Sequence, residues 1–452
     1  MKEKRVGRGS FGSAFGFVMA AAGSAVGLGN LWKFPYVAGR SGGAVFLIVY
    51  LIFVVLLGVP IMLGEMSLGR RTRLNPVGAY RSLDRRWTFV GVIGVLCGFI
   101  ILSCYSVIGG WVLRYIAAYV AGGPRTGEAA AFFSGFVSSP VEPVLWHLLF
   151  LGVTCLVVMK GISGGIERVS KVLLPALFVI ILIIAVRALT LPGSGEGVRY
   201  FLVPNWSDVD SLPKFGNVVF SAMGQVFFSL SLGMGTLITY GSYLPKKVNL
   251  QRSSLVIPAL DTLMAILAGF AILPAVFAFG FQPSAGPGLL FETLPEVFAS
   301  MPFGGAFGLL FFVLVFFAAI TSSVSMLEVV TAFAIDNLHW KRRTASLSAS
   351  LLMAVSGTVA ALSYGPLGDM QIFGMTIFDA LTYLSDKILM PVGGFCMCIF
   401  VGYVWGIDNA TAEITENGAL NFGWKKLFGV SLRYIAPALI LVIFLVSLIT
   451  GG

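Results

Sequence analysis

Three short stretches of this chain carry groups suited to holding an ion or a zwitterion. The first reads Gly23-Ser24-Ala25-Val26-Gly27-Leu28-Gly29-Asn30, the second Ser229-Leu230-Ser231-Leu232-Gly233-Met234-Gly235, and the third Thr321-Ser322-Ser323. Each of the first two sets a Gly-x-Gly among small polar residues inside an apolar run. Glycine inside a helix costs about 0.5–1 kcal/mol relative to alanine. It suits close helix–helix packing, or it interrupts the helix. An interruption frees N–H groups, which suit a carboxylate, and carbonyls, which suit a cation. Hydroxyls such as Thr321 and Ser322 usually bond back to their own backbone. Beside an interrupted helix they offer oxygen ligands to a hard cation.

Three acids, Glu65, Asp261 and Glu328, fall deep in apolar stretches, where a carboxylate is costly and usually functional. Asp261, in Pro258-Ala-Leu-Asp-Thr, is expected at the start of a helix, as a loop-end charge or as a ligand. Glu65, in Gly64-Glu-Met, is expected to cap the unwound part of a neighbouring helix rather than touch a substrate. His147 and His339 offer no metal cluster. The five cysteines, Cys97, Cys104, Cys155, Cys396 and Cys398, read as small core residues. No Ser/His pair or paired catalytic acid stands at a workable spacing, so an enzyme is not expected.

The elements that must hold these groups are membrane helices. The chain has 452 residues, 57% hydrophobic and 11% charged, where a soluble domain carries about 25% charged residues. At about 20 apolar residues per span, its long continuous runs predict eleven transmembrane helices rather than a barrel. They are expected near 11–38, 42–69, 88–121, 144–159, 169–191, 214–243, 255–281, 304–335, 345–363, 373–405 and 430–450. The net charge of +10 sits in the N-terminus (Lys2, Lys4, Arg5, Arg8) and in alternate loops, while 282–303 has neither Lys nor Arg. That pattern excludes a nucleic-acid partner and places the N-terminus in the cytoplasm. Eleven spans then leave the C-terminus outside. Residues 1–452 form a single transmembrane domain, with one repeat at 11–191, a second at 214–405 and an extra helix at 430–450. Five spans per half give the halves opposite topology. An interrupted helix opening each half is the sequence pointer to a transporter's midplane site.

At Gly23–Tyr36 (GSAVGLGNLWKFPY), Pro60–Arg71, Gly161–Pro175, Gly224–Tyr243 (GQVFFSLSLGMGTLITYGSY) and Ala318–Glu328 the chain resembles the neurotransmitter:sodium symporter family. The likeness is to its bacterial amino-acid transporters of the eleven-span, leucine-transporter fold, and it covers essentially the whole chain. It implies an all-α membrane protein with discontinuous helices 1 and 6, and two sodium ions. The first sodium site would use Ala25, Asn30, Ser229, Asp261 and the substrate carboxylate. The second would use Gly23, Val26, Ala318, Thr321 and Ser322. The substrate would lie against Ala25, Leu28 and Gly29, with Ile101, Tyr105, Phe228, Ser229, Ser231, Met234, Ser322 and Met326 around it. Gly27 stands where amine-transporting members carry Asp, which argues for a ligand bringing its own carboxylate. The likeness also implies a cytoplasmic gate of Arg8 with Asp336, supported by Ser242 and Tyr243. Gly165 and Pro175 match a Gly-x9-Pro pattern tied to inward opening. The outer gate pairs Lys33 with an acid. The aligned position is Thr382, and Asp379 and Asp386 lie one turn either side. Asp261 replaces the first site's amide, and Ala265 stands where other members carry Glu or Ser.

The expected function is therefore a sodium-coupled symporter of hydrophobic, branched and aromatic L-amino acids, working by alternating access without chloride. Its setting is a bacterial inner membrane, with the lipid bilayer and a small amino-acid substrate as partners. A proton-coupled transporter on the same scaffold and a transport-inactive amino-acid sensor remain open. The sequence leaves the oligomeric state open.

Overall fold

The computed structural model describes residues 9–281 and 288–450. Regular structure among them is helical, apart from one isolated bridge between Ile372 and Met375. In chain order the segments that matter are α1 (Ala14–Ala25), α2 (Gly29–Arg40), α3 (Ala44–Thr72), α4 (Arg85–Val120), α5 (Glu142–Met159) and α6 (Ile162–Leu189). There follow α7 (Leu212–Ser229) and α8 (Thr236–Ser242), then α9 (Leu250–Ala278), α10 (Gly304–Asn337), α11 (Arg342–Leu362), α12 (Ile377–Val404) and α13 (Lys425–Val446).

Among the described residues, nine single helices are long and apolar enough to cross a membrane, and α1 with α2 forms a tenth, bent by 49°. The expected eleven is not reached by this measure, because 214–243 is not one helix. It divides into α7 and α8 around residues 230–235. Ser231, Gly233 and Gly235 all take positive φ there (54°, 78° and 74°). Only glycine adopts such values cheaply, so the two glycines make the break affordable.

Local chemistry sets the other boundaries. Ser13 caps α1 by accepting from Gly16 N, and the helix ends as Val26 turns extended (φ −70°, ψ 94°). Asn249 caps α9 by accepting from Arg252 N. The helix therefore starts earlier than 255, and its first turn is polar. This corrects the placement of Asp261: it lies in the helix interior and is 0% exposed.

Long α4 and α10 pack on each other at the centre, with α1 and α8 against α10. The outward faces of α5, α6 and α11 expose Leu145, Leu149, Val172, Val179, Leu351 and Val355, as suits contact with lipid tails. Of three π-helical turns, Ser431–Ile435 in α13 meets both Val54–Gly58 in α3 and Phe400–Val404 in α12. A π turn disturbs the regular ladder, and partners satisfy it across the joint. Ser431 Oγ donates to Leu56 O, Arg433 Nε to Gly402 O at 3.0 Å, and Tyr403 OH to Arg433 O at 2.8 Å.

Candidate functional site

The two breaks face one small cavity of about 20 Å³. Every residue expected to touch substrate lines it except Ser229, and Ser24 and Gly27 join the lining. The walls are backbone of the α1–α2 break on one side. On the other stand Ile101 and Tyr105 from α4, Phe228 from α7, Ser231 and Met234 from the second break, and Ser322 and Met326 from α10. Tyr105 OH accepts from Leu28 N at 3.1 Å. A Cβ on Gly27 would lie 2.5 Å from Ser322 Oγ and 3.0 Å from Tyr105 OH; one on Gly29 would lie 2.7 Å from the Phe228 ring. Glycine at both positions is thus required by close approach.

Beside the cavity sits a buried carboxylate cluster. Asn30 Nδ2 donates to Asp261 Oδ1 at 2.8 Å and to Asp261 O at 3.1 Å. Ser229 Oγ donates to Asp261 Oδ2 at 2.8 Å, and Tyr50 OH to the same oxygen at 3.4 Å. Gly27 N donates to Asn30 Oδ1 at 3.2 Å, tying the break to the cluster. Asn30 and Asp261 are 0% exposed and Ser229 is 1% exposed, and all three side-chain partners of the carboxylate are neutral. A buried charge of this kind is costly unless a cation accompanies it. Oxygen-rich surroundings suit a hard cation, so the residues fit a sodium ion.

A second oxygen cluster joins α1 to α10. Ser322 Oγ lies 3.5 Å from Gly23 O, 3.0 Å from Ser24 O and 3.5 Å from Val26 O. Thr321 Oγ1 donates to Phe317 O at 3.1 Å and Ala318 O at 3.0 Å. Because α1 stops at Ala25, carbonyls of its last turn lack the next helical amides. The cluster gathers Gly23, Val26, Ala318, Thr321 and Ser322 with oxygen donors alone, and this set too fits sodium.

The second break is held from α3. Gly233 N donates to Glu65 Oε1 at 2.9 Å. Glu65 is thus a cap on the unwound segment.

Above the cavity, a vestibule is lined by Trp32, Lys33, Tyr36, Phe228, Tyr364, Thr382 and Asp386 among others. Lys33 Nζ lies 3.5 Å from Asp386 Oδ2 and 4.1 Å from the centre of the Phe228 ring. Asp379 also borders the vestibule, but it is not the partner of Lys33. Its carboxylate accepts from Thr376 Oγ1 at 2.7 Å, and its N–H donates to the same hydroxyl.

On the other side lie the described residues of the expected cytoplasmic gate. Arg8 lies outside the described residues. Asp336 Oδ2 accepts from Asn75 N and Nδ2, both at 2.9 Å. Ser242 Oγ donates back to Thr239 O. Tyr243 OH donates to Glu328 Oε1 at 2.5 Å, which places Tyr243 on Glu328. Arg342 holds the same carboxylate through two nitrogens, at 2.6 and 2.9 Å, a forked pairing stronger than a single contact.

Sequence reasoning missed Ser24, Tyr50, Asn75, Arg342 and Glu167. Ser24 lies inside the first glycine motif but was given no role there, and Tyr50 lies in an apolar run where nothing in the spacing marks it. Glu167 follows the Gly164-Gly165 pair directly after Ile166, and an acid so close to a predicted unwinding point was a readable signal.

The model of the sodium:neurotransmitter symporter family matches residues 8–122 and 138–451. An uncharacterized sodium-dependent transporter of Bacillus subtilis, YhdH, is 42% identical, with 96% of each chain covered. A second such transporter, from Haemophilus influenzae, is 35% identical with 98% of each covered. The crystal structure of MhsT in complex with L-phenylalanine superposes with a TM-score of 0.89 at 42% identity, covering 97% of this chain and 99% of that one.

Proposed function

The chain belongs to the sodium:neurotransmitter symporter family, and from that premise we propose that it is a symporter carrying hydrophobic L-amino acids with sodium. The observation that carries this reading is the cavity between the two breaks, flanked by two clusters of oxygen ligands. Amides of the α1–α2 break suit an α-carboxylate, and carbonyls of the α7–α8 break suit an α-ammonium. Ile101, Tyr105, Phe228, Met234 and Met326 then receive the side chain. Among the described residues no Lys, Arg, Asp or Glu lines the cavity, so charged side chains are rejected on desolvation cost. Two methionines make the wall adaptable, which favours a broad range of branched and aromatic substrates. The likeness to MhsT holding L-phenylalanine supports this class.

Two ions per substrate, at the Asp261 and Thr321–Ser322 clusters, complete the proposal. Lys33 with Asp386 serves as the outer gate. The network of Tyr243, Glu328 and Arg342 serves as part of the inner one. The setting is a bacterial inner membrane with the N-terminus in the cytoplasm.

The test is uptake of labelled leucine, phenylalanine and tryptophan into proteoliposomes, with sodium replaced by potassium or choline at fixed pH. Uptake should require sodium, and glycine and charged amino acids should compete poorly. Full uptake without sodium overturns the coupling. Glycine or lysine outcompeting all three labelled substrates overturns the pocket.

A further inference from the structure

Glu167 is a buried acid that the roles above do not use. It ends the π-helical first turn of α6, Ile162–Glu167, and its side chain is 4% exposed. Oε2 accepts from Gly12 N at 2.7 Å, and Oε1 from Ser13 Oγ at 3.2 Å. Ser13 Oγ in turn accepts from Gly16 N at 3.0 Å as the cap of α1. Lys171, one turn further along α6, holds Oε1 at 2.6 Å.

The carboxylate also fills the space over Gly16. A Cβ there would lie 2.0 Å from Glu167 Oε1 and 2.3 Å from Cδ. Gly16 is helical, where alanine is favoured over glycine by about 1 kcal/mol. Glycine is therefore required at this position by the Glu167 side chain rather than by backbone conformation.

We propose that Glu167 is a positioning residue for the second sodium cluster, acting as a clamp that fixes α1 on α6. Helix α1 runs from this clamp to Gly23, Ala25 and the capping Val26. Anchoring its first turn sets where the carbonyls of Gly23 and Val26 stand against Ser322. Gly165 lies in the same π turn and Pro175 farther along α6. Proline removes a helical hydrogen bond, so this end of α6 is the cheaper one to unwind. Unwinding withdraws the carboxylate, and release of α1 and loss of the sodium geometry become one event.

The inference rests on the reading of the Thr321–Ser322 cluster as a sodium site, and a double-mutant cycle separates the two. Gly16→Ala and Glu167→Ala are each expected to raise the sodium concentration for half-maximal uptake about ten-fold, a coupling of ordinary size. The amino-acid KM at saturating sodium stays unchanged. The double variant should be no worse than Glu167→Ala alone, because the added methyl then enters space the carboxylate has left. Hydrogen exchange should rise in residues 9–25 in Gly16→Ala and Glu167→Ala, with the remainder of the protein protected as before. Additive defects, or unchanged exchange in residues 9–25, overturn the clamp. Raised exchange with unaltered sodium dependence overturns its link to the ion. Should Glu167→Ala fail to fold, Glu167→Gln keeps an acceptor for one of the two bonds and reads the same shift. Wild-type uptake without sodium would sink the parent reading and leave the exchange test of the clamp standing.

Discussion

At the residue scale, what separates the two clusters is charge. The Thr321–Ser322 set offers neutral oxygens, whereas Asp261 brings a full negative charge to a site 0% exposed. Replacing both Thr321 and Ser322 with alanine removes two side-chain ligands. Sodium-dependent uptake should fall at least about ten-fold, roughly 1.4 kcal/mol in the coupling, and uptake against sodium concentration measures it. On the proposed reading Asp261 balances the ion of its own cluster, so wild-type uptake should be indifferent to replacing chloride by gluconate. Asp261→Asn keeps the shape and drops the charge. Its sodium affinity should fall, and uptake should become stimulated by chloride. Wild-type uptake that collapses in gluconate would contradict this account. Ala265 adds no acid to the site, which leaves Asp261 as the carboxylate of the cluster.

At the element scale, the breaks are held as much from outside as by their own glycines. Glu65 of α3 accepts from Gly233 N at a position where that amide has no helical partner. Leaving a buried donor unpaired costs about 1–3 kcal/mol. Glu65→Ala should therefore lower thermal stability and uptake together, while Glu65→Gln, which keeps an acceptor, retains most of both; melting in detergent with and without sodium reads the difference. The breaks themselves were legible in the sequence, because two Gly-x-Gly sites, each opening a five-span half, point to a transporter's midplane site more than to helix packing alone. All the residues expected around the substrate except Ser229 line a common cavity, because each lies at or opposite a break. What stayed hidden depended on register. The acid facing Lys33 could not be chosen by helical periodicity, since Asp386 sits in the π turn Leu384–Leu389, which shifts residues off the 3.6 repeat. Asp261 was misplaced to a helix start because the polar first turn of α9 does not look like a membrane span. Glu167 beside the Gly164-Gly165 pair was readable as an unusual acid, but its contacts were not, because its partners Gly12 and Ser13 are distant in sequence.

At the scale of the whole molecule, the two faces are closed unequally. The side proposed as the outer one has a vestibule and a Lys33–Asp386 pair at 3.5 Å whose side chains are 34% and 25% exposed. Such a partly solvated pair contributes little, typically 0–1 kcal/mol for exposed examples. The side proposed as the inner one carries the forked Arg342–Glu328 pair, with Glu328 0% exposed, and Tyr243 on the same carboxylate. It also carries the edge-on packing of Phe11 against Phe17, Tyr240 and Tyr243. Removing one member of a buried pair costs about 3–5 kcal/mol, because the other charge is stranded. That cost falls on the closed inner face alone, so it moves the balance between outward- and inward-facing states. Arg342→Ala should therefore populate the inward-open form. A cysteine at Phe11, which is 1% exposed, reports it in a background where the half-buried Cys396 is replaced by alanine. Its labelling from the cytoplasmic face should accelerate by about ten-fold or more, since each 1.4 kcal/mol is a factor of ten. Lys33→Ala should raise outer-vestibule labelling by a much smaller factor. Equal responses at the two faces would mean that closure does not depend on how deeply each ion pair is buried.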